Sequence, residues 1–241
     1  MYSKRLKENG LLNYIGGSEY NFRIETAEEN ILQDYERLLK EAGIVNVDET
    51  YSGHQTHSTN VVYVDKTDGK SFLIGKQFSD TDGLITNSKN KALLIKFADC
   101  TPVVLFDPVE NVQALLHSGW RGTVGQISKL ALEKMENDFG TKKENILAYV
   151  GPSIDQENYE VGLEVYEAFS LNPDRDLFFK PHGEKYLLDM ALANYQLLIQ
   201  SGLKEENIEV ENTSTFTAED LHSARKEGKN YGLNAMVTYM I

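Results

Sequence analysis

The residues best suited to chemistry are the chain's single cysteine, Cys100, and a histidine close to it, His117. Cys100 precedes the apolar run "TPVVLFD", and His117 ends the apolar run "NVQALLH". The residues between the two runs, 107–111, include Asp, Pro and Asn, which are typical of turns. The pattern therefore predicts a β-hairpin with a thiol and an imidazole at its open end.

The register of this hairpin decides whether the two groups can meet. If Phe106 lies opposite Val112, Cys100 faces Ser118 to within one residue. The thiol and the imidazole are then direct or diagonal neighbours, about 5–8 Å apart at the backbone. We expect Pro102 to end the pairing beside the cysteine, which leaves both groups at the rim of a sheet, where functional sites commonly lie.

Two chemistries suit such a pair. The histidine can take the thiol proton, which makes Cys100 the nucleophile and His117 the base of a cysteine hydrolase. Alternatively, both side chains bind a metal, since zinc accepts thiolate and imidazole together, and His57 in the polar loop "SGHQTHSTNVV" offers a third ligand. Three protein ligands leave one tetrahedral position open, as in catalytic zinc sites. The residues alone leave both chemistries open, beside a purely structural buried cysteine.

Amphipathic helices must position these residues. Apolar residues at helical spacing predict a helix over "TAEENILQDYERLLKEAG", with Thr26 as its cap and Gly43 as its end. The same spacing predicts a helix from near Thr123 to near Gly140. Three further helices are predicted over residues 163–169, over "LLDMALANYQLLIQSG" and over "AEDLHSARKEG".

Short strands complete the predicted fold. They start near Val61 and cover "DGLITN", "ALLIKFA", "NILAYVG", "NIEVEN" and "NAMVTYMI". Because the strands are short and some are joined by hairpins, a purely parallel sheet is disfavoured. The sequence predicts an α+β fold: a single domain over residues 1–241, with mixed β-sheets covered by helices in α/β/α layers.

Composition narrows the possible partners and the compartment. The 24 basic and 37 acidic residues give a net charge of −13, which argues against nucleic-acid binding. One cysteine excludes an internal disulfide and suits a reducing compartment. The sequence has no apolar signal core and no run approaching 18 apolar residues, so we predict a cytoplasmic protein without a membrane partner.

Five motifs, in order and at their spacing, carry a family resemblance: "QTHSTNV", "TDGLITN", "ADCTPVVLFD", "HSGWRGTVGQI" and "GPSI…YEVG". They resemble the laccase-domain family of the YfiH/YlmD type, long labelled multicopper polyphenol oxidoreductase and later assigned purine nucleoside phosphorylase activity. The resemblance extends from about His54 to the C-terminus. It implies that His57, Cys100 and His117 form a metal-binding catalytic set.

The resemblance also implies cofactor and substrates. Zinc is the expected ion, with copper as the alternative. The implied reactions are phosphorolysis of adenosine, inosine, guanosine and S-methyl-5′-thioadenosine, and deamination of adenosine, so the partners are purine nucleosides and phosphate. Phosphorolysis needs a held phosphate, and Arg121, just ahead of the helix predicted from Thr123, is a candidate for that contact.

Two more residues are candidate contacts to substrate or phosphate. Asp82 in "SDTDGLITN" matches an acidic position of the family, and its alternatives are a turn residue or a residue supporting the metal ligands. Arg225 in "HSARKEG" is the other candidate, and its alternative is a surface salt bridge.

The chain departs from the family near its C-terminus. Ala224, Lys226 and Leu233 stand where the relatives carry tyrosine, arginine and arginine, and lysine loses the bidentate geometry of arginine. These departures keep open a non-catalytic role as a metal-binding or cell-wall-linked factor. The relatives' additional cysteines are also missing, so we expect one metal site and not a multicopper cluster.

Overall fold

The computed structural model describes residues 1–27, 29–66 and 68–241. One sheet has six strands in the order β1-β15-β7-β2-β5-β4. In that order they are β1 (Leu11–Gly16), β15 (Asn234–Met240), β7 (Lys91–Phe97), β2 (Glu49–Gly53), β5 (Gly75–Phe78) and β4 (Lys70–Phe72). Strand β2 is parallel to β5 and β7, and the other pairs are antiparallel.

A second six-stranded sheet has the order β14-β10-β8-β9-β6-β3. Its strands are β14 (Ile208–Val210), β10 (Leu147–Val150), β8 (Thr101–Asp107), β9 (Val112–Ser118), β6 (Gly83–Thr86) and β3 (Val61–Tyr63). A small third sheet contains β11 (Glu160–Val161), β13 (Lys185–Leu188) and β12 (Phe179–His182).

The helices of the described residues are mostly short. They are α1 (Lys4–Glu8), α2 (Ile24–Ala27), α3 (Ile31–Ala42), α4 (Trp120–Val124), α5 (Ile127–Phe139), α6 (Leu163–Ala168), α7 (Arg175–Phe178), α8 (Met190–Gln200) and α9 (Ala224–Glu227). As predicted, α3 and α5 end at Gly43 and Gly140, which adopt left-handed φ angles of 71° and 72° that glycine tolerates best. Among the described residues, no helix has the length and apolarity needed to cross a bilayer.

Strand β7 shows how the layers form. Leu93, Ile95 and Phe97 pack into a core shared with the second sheet, while Ala92 and Leu94 face the layer that contains α3, as the two-residue period of a strand requires. The outer face of the second sheet is covered by α5 and α8. The predicted α+β class with mixed, helix-covered sheets is confirmed. The predicted α/β/α layering is wrong: the layers run α/β/β/α, because each of the two six-stranded sheets buries one face against the other.

The hairpin of β8 and β9 lies one residue from the central predicted register, within the expected range. Thr101 pairs with Ser118. Pro102 pairs with His117, so the prediction that Pro102 ends the pairing is wrong. A strand residue directs its N–H and C=O to the same neighbour. The Pro102 carbonyl accepts from Gly151 N at 2.8 Å, so the missing N–H falls on the β10 side and costs no bond to β9.

The predicted helix over residues 26–43 is divided in the structure. Thr26 lies inside α2 and does not cap α3, because its hydroxyl donates to the Arg23 carbonyl at 3.3 Å and accepts from Asn21 Nδ2 at 3.0 Å. The N-cap position of α3 is Asn30. Residue 28 of the predicted helix lies outside the described residues.

Two further helix boundaries differ from the predictions. The helix expected from Thr123 is two helices, α4 and α5, separated where Gln126 adopts a φ of 60°. Arg121 therefore lies inside the five-residue α4, and a helix N-terminus no longer supports an anion site there. The helix over "AEDLHSARKEG" is limited to α9, since the preceding His222 backbone N–H is bonded to Asn234 Oδ1 at 2.8 Å.

Candidate metal centre

The structure brings together the three side chains predicted as ligands. One donor atom from each of His57, Cys100 and His117 lies within 4.8 Å of the other two. His117 belongs to β9, Cys100 lies between β7 and β8, and His57 lies in the loop between β2 and β3. The two imidazole rings are 5.1 Å apart between centroids, at an interplanar angle of 64°. The convergence therefore joins one strand and two loops.

Unusual backbone conformations permit this convergence. His57 has a φ of 61° and Asp99, next to the thiol, has a φ of 82°, a region that L-residues rarely adopt and that often occurs at functional sites. A Cβ atom at Gly119 would lie 2.9 Å from Cys100 Sγ and 2.9 Å from His57 Cδ2. Only glycine leaves room there for the two ligands.

Asp82 forms hydrogen bonds to two of the three segments that carry the ligands. Its carboxylate accepts hydrogen bonds from the backbone N–H groups of Thr56 and His57 at 3.1 Å and of Ser58 at 2.8 Å. Its Oδ1 also lies 2.8 Å from His117 Nδ1. One carboxylate therefore fixes both the loop that carries His57 and the ring of His117.

This position assigns Asp82 a supporting role. Its side chain is 0% exposed. Burial raises the pKa of this carboxyl, but the hydrogen bonds and charge of His117 and the bonds from Ser58 outweigh burial and lower the pKa to about 2. The ionised carboxylate has no free surface for a nucleoside or a phosphate. The structure thus favours ligand support over the predicted substrate contact.

The donor set fits a zinc-like ion. Zinc–nitrogen bonds of about 2.0–2.1 Å and a zinc–sulfur bond of about 2.3 Å put neighbouring donors of a tetrahedral site about 3.4–3.6 Å apart. The three donors lie within 4.8 Å of one another, so they need to close by about 1.2–1.4 Å at most to bind the ion. With His117 Nδ1–H donating to Asp82, Nε2 is left for the ion. A carboxylate behind a histidine ligand is the usual arrangement at metal sites.

The thiol is poised to ionise. Burial raises the pKa of Cys100, but His117 and His57 outweigh burial and lower the pKa to about 6. Burial lowers the pKa of His117, whereas the Cys100 thiolate and Asp82 raise it to about 9. Both pKa shifts favour a thiolate beside an imidazolium at neutral pH.

The same geometry bears on the hydrolase alternative. Cys100, His117 and Asp82 stand in the order of nucleophile, base and orienting carboxylate. His57 favours the metal site over the cysteine hydrolase, because it brings a second imidazole to the same sulfur. A nucleophile needs one base, whereas a zinc ion needs all three donors.

A cavity of about 340 Å³ opens beside the centre, a volume within the usual range for small-molecule sites. Cys100, His57 and His117 all line it, together with the polar side chains of Gln55 and Lys96. Its apolar and aromatic wall is formed by Phe22, Ile24, Phe97, Tyr231 and Leu233.

Arg225 approaches the centre through α9. Its backbone N–H donates to Asp99 Oδ2 at 2.7 Å, and its Nη2 donates to the Glu160 carbonyl at 3.2 Å. Its guanidinium carbon lies 5.2 Å from the centroid of the Tyr159 ring. Asp99 therefore ties Arg225 to the segment that carries Cys100.

Tyr159 connects Arg121 and Arg225 with the thiol. Burial is the main cause that raises the pKa of Tyr159 to about 12, followed by the negative charge of Cys100, while both arginines oppose this shift. Arg121 also lies over the Trp120 ring, at 4.2 Å. Across residues 1–27, 29–66 and 68–241, neither arginine forms an ion pair. Both guanidinium charges are therefore available to an anion.

Two residues of the site were missed from sequence. Tyr159 belongs to the motif "GPSI…YEVG", which carries the resemblance without assigning Tyr159 a role, but its pKa reflects the thiol and both arginines. From the sequence, Lys96 is assigned only to the strand "ALLIKFA". A lysine inside an otherwise apolar strand is nevertheless an indication of a functional side chain. Its backbone is held by Gln55, whose side chain bonds both the Lys96 N–H at 2.9 Å and the Lys96 carbonyl at 2.6 Å.

Fold and site together define a class of α+β protein in which two stacked mixed sheets carry one His–Cys–His centre. The sequence profile of the family described as multi-copper polyphenol oxidoreductase laccase matches residues 13–241. The chain belongs to this family.

Individual relatives agree with this assignment. A purine nucleoside phosphorylase of Bacteroides thetaiotaomicron is 35% identical over 188 residues, which cover 74% of this chain and 68% of that one. The adenosine deaminase RL5 of an unknown prokaryotic organism is 34% identical over 195 residues, covering 78% and 74%. The crystal structure of YlmD from Geobacillus stearothermophilus has the same fold, with a TM-score of 0.84 at 22% identity over 96% of this chain and 92% of that one.

Proposed function

We propose that the protein is a zinc-dependent purine nucleoside phosphorylase that also deaminates adenosine. Two observations carry the proposal. The His–Cys–His centre borders a cavity of about 340 Å³, and the charges of Arg121 and Arg225, which form no ion pair among the described residues, act on Tyr159 near the same thiol. The names of the relatives from Bacteroides thetaiotaomicron and of RL5 point to the same two activities.

The cavity suits a nucleoside. Its wall includes Phe22, Phe97 and Tyr231, and aromatic rings pack well against the flat face of a purine. Its floor contains the polar groups of the centre, which can meet the ribose. For phosphorolysis, the proposal places the base in the cavity and the ribose C1′ toward the metal ligands.

Arg121 and Arg225 are the proposed phosphate contacts. A guanidinium presents paired donors that match phosphate oxygens, and no carboxylate of the described residues occupies either arginine. Phosphorolysis breaks the bond from C1′ to N9, leaves the electron pair on the purine, and forms a bond from C1′ to a phosphate oxygen. The reaction therefore benefits from phosphate and base on opposite sides of the ribose.

The ion would be held by His57, Cys100 and His117. Because Asp82 accepts the hydrogen bond from His117 Nδ1–H, Nε2 of His117 is the nitrogen available to the ion. A zinc ion acts as a Lewis acid and lowers the pKa of bound water toward about 7. Cys100 ionises readily, which favours metal binding at neutral pH. The loop around His57 stays in place through its three bonds to Asp82.

Zinc is preferred to copper in this proposal. Within the described residues, His57, Cys100 and His117 are the one cluster of three or more metal-binding side chains, and a multicopper oxidase needs several copper ions. A thiolate ligand is stable in a reducing compartment, so we propose the cytoplasm as the location.

Assays of products test this function directly. Zinc-loaded protein with inosine and phosphate should release hypoxanthine, and with adenosine it should release adenine and inosine, as measured by chromatography. Chelation should suppress all products and added zinc should restore them. The reaction without phosphate is the control for phosphorolysis. A zinc-loaded protein that forms no product from any nucleoside would instead support the non-catalytic metal-binding role.

Arg225→Gln should weaken phosphate use selectively. A hydrogen bond to a charged group contributes roughly 1.5–3 kcal/mol, so we expect KM for phosphate to rise about 10- to 100-fold, while KM for inosine changes little. Arg175→Gln is the matched control, because that guanidinium stacks on Tyr166 at 4.1 Å in the region of the third sheet. An unchanged KM for phosphate would remove Arg225 from the proposed site.

A further inference from the structure

Lys96 places a cation in the cavity beside the centre. It lies near the end of β7, on the face that also carries Ala92 and Leu94. There its side chain lines the same cavity as Cys100 and His117. The two backbone bonds to Gln55 fix the direction in which Lys96 leaves the strand.

The charge of Lys96 has no partner within the described residues. Its ammonium forms no hydrogen bond or ion pair there, and Glu25 acts on it only through a longer-range attraction. Burial lowers the pKa of Lys96, and Glu25 opposes this shift. A half-buried ammonium without a partner is costly, so its position in a cavity suggests that a ligand supplies the missing acceptor.

The other cation on the cavity wall is already engaged. Arg23 lies 3.6 Å from Glu25 Oε2, and its Nη1 donates to the carbonyls of Lys229 and Tyr231 at 2.9 Å. Its guanidinium also stacks on the Tyr231 ring at 4.2 Å. Lys96 is therefore the positive group of this wall that remains available to a substrate.

We propose that Lys96 determines base specificity and favours 6-oxopurine nucleosides, inosine and guanosine, over adenosine by donating hydrogen bonds to O6 and N7 of the base. This inference rests on the proposed function, which puts the purine in the same cavity.

The chemistry of the two partners explains the preference. An ammonium has three donors and no acceptor, and a 6-oxopurine presents adjacent acceptors at O6 and N7. Adenine presents its N6 amino group, a donor, in place of O6, so part of the ammonium is left unpaired. During phosphorolysis a departing 6-oxopurine spreads part of its negative charge onto O6, where a fixed cation stabilises it, whereas the amino group of adenine takes up no such charge.

Lys96→Met tests the proposal by selectivity. Methionine retains the length of the stem and removes the charge. We expect kcat/KM for phosphorolysis of inosine and guanosine to fall about 10- to 100-fold, while adenine release from adenosine changes less than about threefold. The control is Lys129→Met, an exposed lysine of α5 outside the cavity, which should leave all rates unchanged.

Calorimetry of base binding provides a readout independent of turnover. Zinc-loaded wild-type protein should bind hypoxanthine at least about tenfold more tightly than adenine, and Lys96→Met should remove that preference. Circular dichroism melting of both variants checks that they are folded.

The possible results distinguish a failure of the Lys96 base contact from a failure of the proposed phosphorylase function. An equal loss on every nucleoside together with a higher KM for phosphate would make Lys96 an anion contact and overturn the proposal. If the wild type turns over no nucleoside but binds hypoxanthine with a preference that Lys96→Met removes, the phosphorylase function fails and the base contact stands. If neither protein distinguishes hypoxanthine from adenine, the base contact is wrong.

Discussion

Cys100→Ser is expected to release the metal and to lower kcat/KM for phosphorolysis by about 10²- to 10⁴-fold, the loss of several kcal/mol of metal-assisted catalysis. Serine has nearly the same size, so the hairpin should keep its structure. Its hydroxyl stays protonated at neutral pH, whereas the pKa of the Cys100 thiol is about 6. Elemental analysis of untagged protein and steady-state kinetics measure the two effects.

The alternative cysteine hydrolase also predicts a loss of activity for Cys100→Ser, because the nucleophile is removed. A substitution of His57 therefore provides the decisive comparison. As a metal ligand, His57 is required for loading, and His57→Asn should reproduce both losses. His182→Asn is the matched control, because His182 is exposed and bonds to Glu160 at 3.0 Å. A His57→Asn protein that keeps full activity, and a wild type that keeps activity after chelation, would favour Cys100 as a nucleophile.

Two continuous apolar runs around a typical turn explain why the hairpin is predictable from the sequence. Strand β8, "TPVVLFD", and strand β9, "VQALLHS", each bury all seven of their residues, and a turn of fixed length limits the register to within one residue. The two ends of the hairpin therefore follow from the sequence alone. The sequence also indicates His57 as a candidate, through its residue type and its loop position.

The convergence of His57 with the hairpin is implied by the family resemblance, but no local pattern of the sequence predicts it. It depends on a left-handed conformation at His57 and on three backbone bonds to Asp82, 24 to 26 residues away. Neither feature leaves a pattern in a single sequence. Strand β1 was also missed, since its paired partner β15 lies at the opposite end of the chain.

One of the departures from the family lies in the cavity. The resemblance puts an arginine of the relatives at Leu233, and in this structure Leu233 lines the cavity with its apolar side chain. Lys96 supplies a positive charge to the same cavity. A lysine acts as a compact donor and not as a planar fork, which suits two acceptors on a base edge better than the paired oxygens of a phosphate.

Asp82→Asn is expected to weaken metal binding about 10- to 100-fold, the usual cost of removing the partner behind a histidine ligand. An asparagine has one acceptor oxygen and one donor group. It cannot accept from both the His117 Nδ1–H and the backbone N–H groups of Thr56, His57 and Ser58. Competition titration with a zinc-binding dye measures the affinity, and exposed Asp138 on α5 provides the control variant Asp138→Asn.

The same substitution should also cost stability, by about 1–3 kcal/mol for buried donors left unpaired, with a defined pH dependence. The pKa of Asp82 falls from 3.8 to about 2 on folding, so its ionised form stabilises the native state fully above about pH 4. That contribution is lost as the pH falls through about 2. The difference in unfolding free energy between wild type and Asp82→Asn should therefore be constant from pH 7 to about 5 and shrink below 4. A difference that stays constant to pH 2 would mean that the carboxylate is not what holds the His57 loop and His117 together.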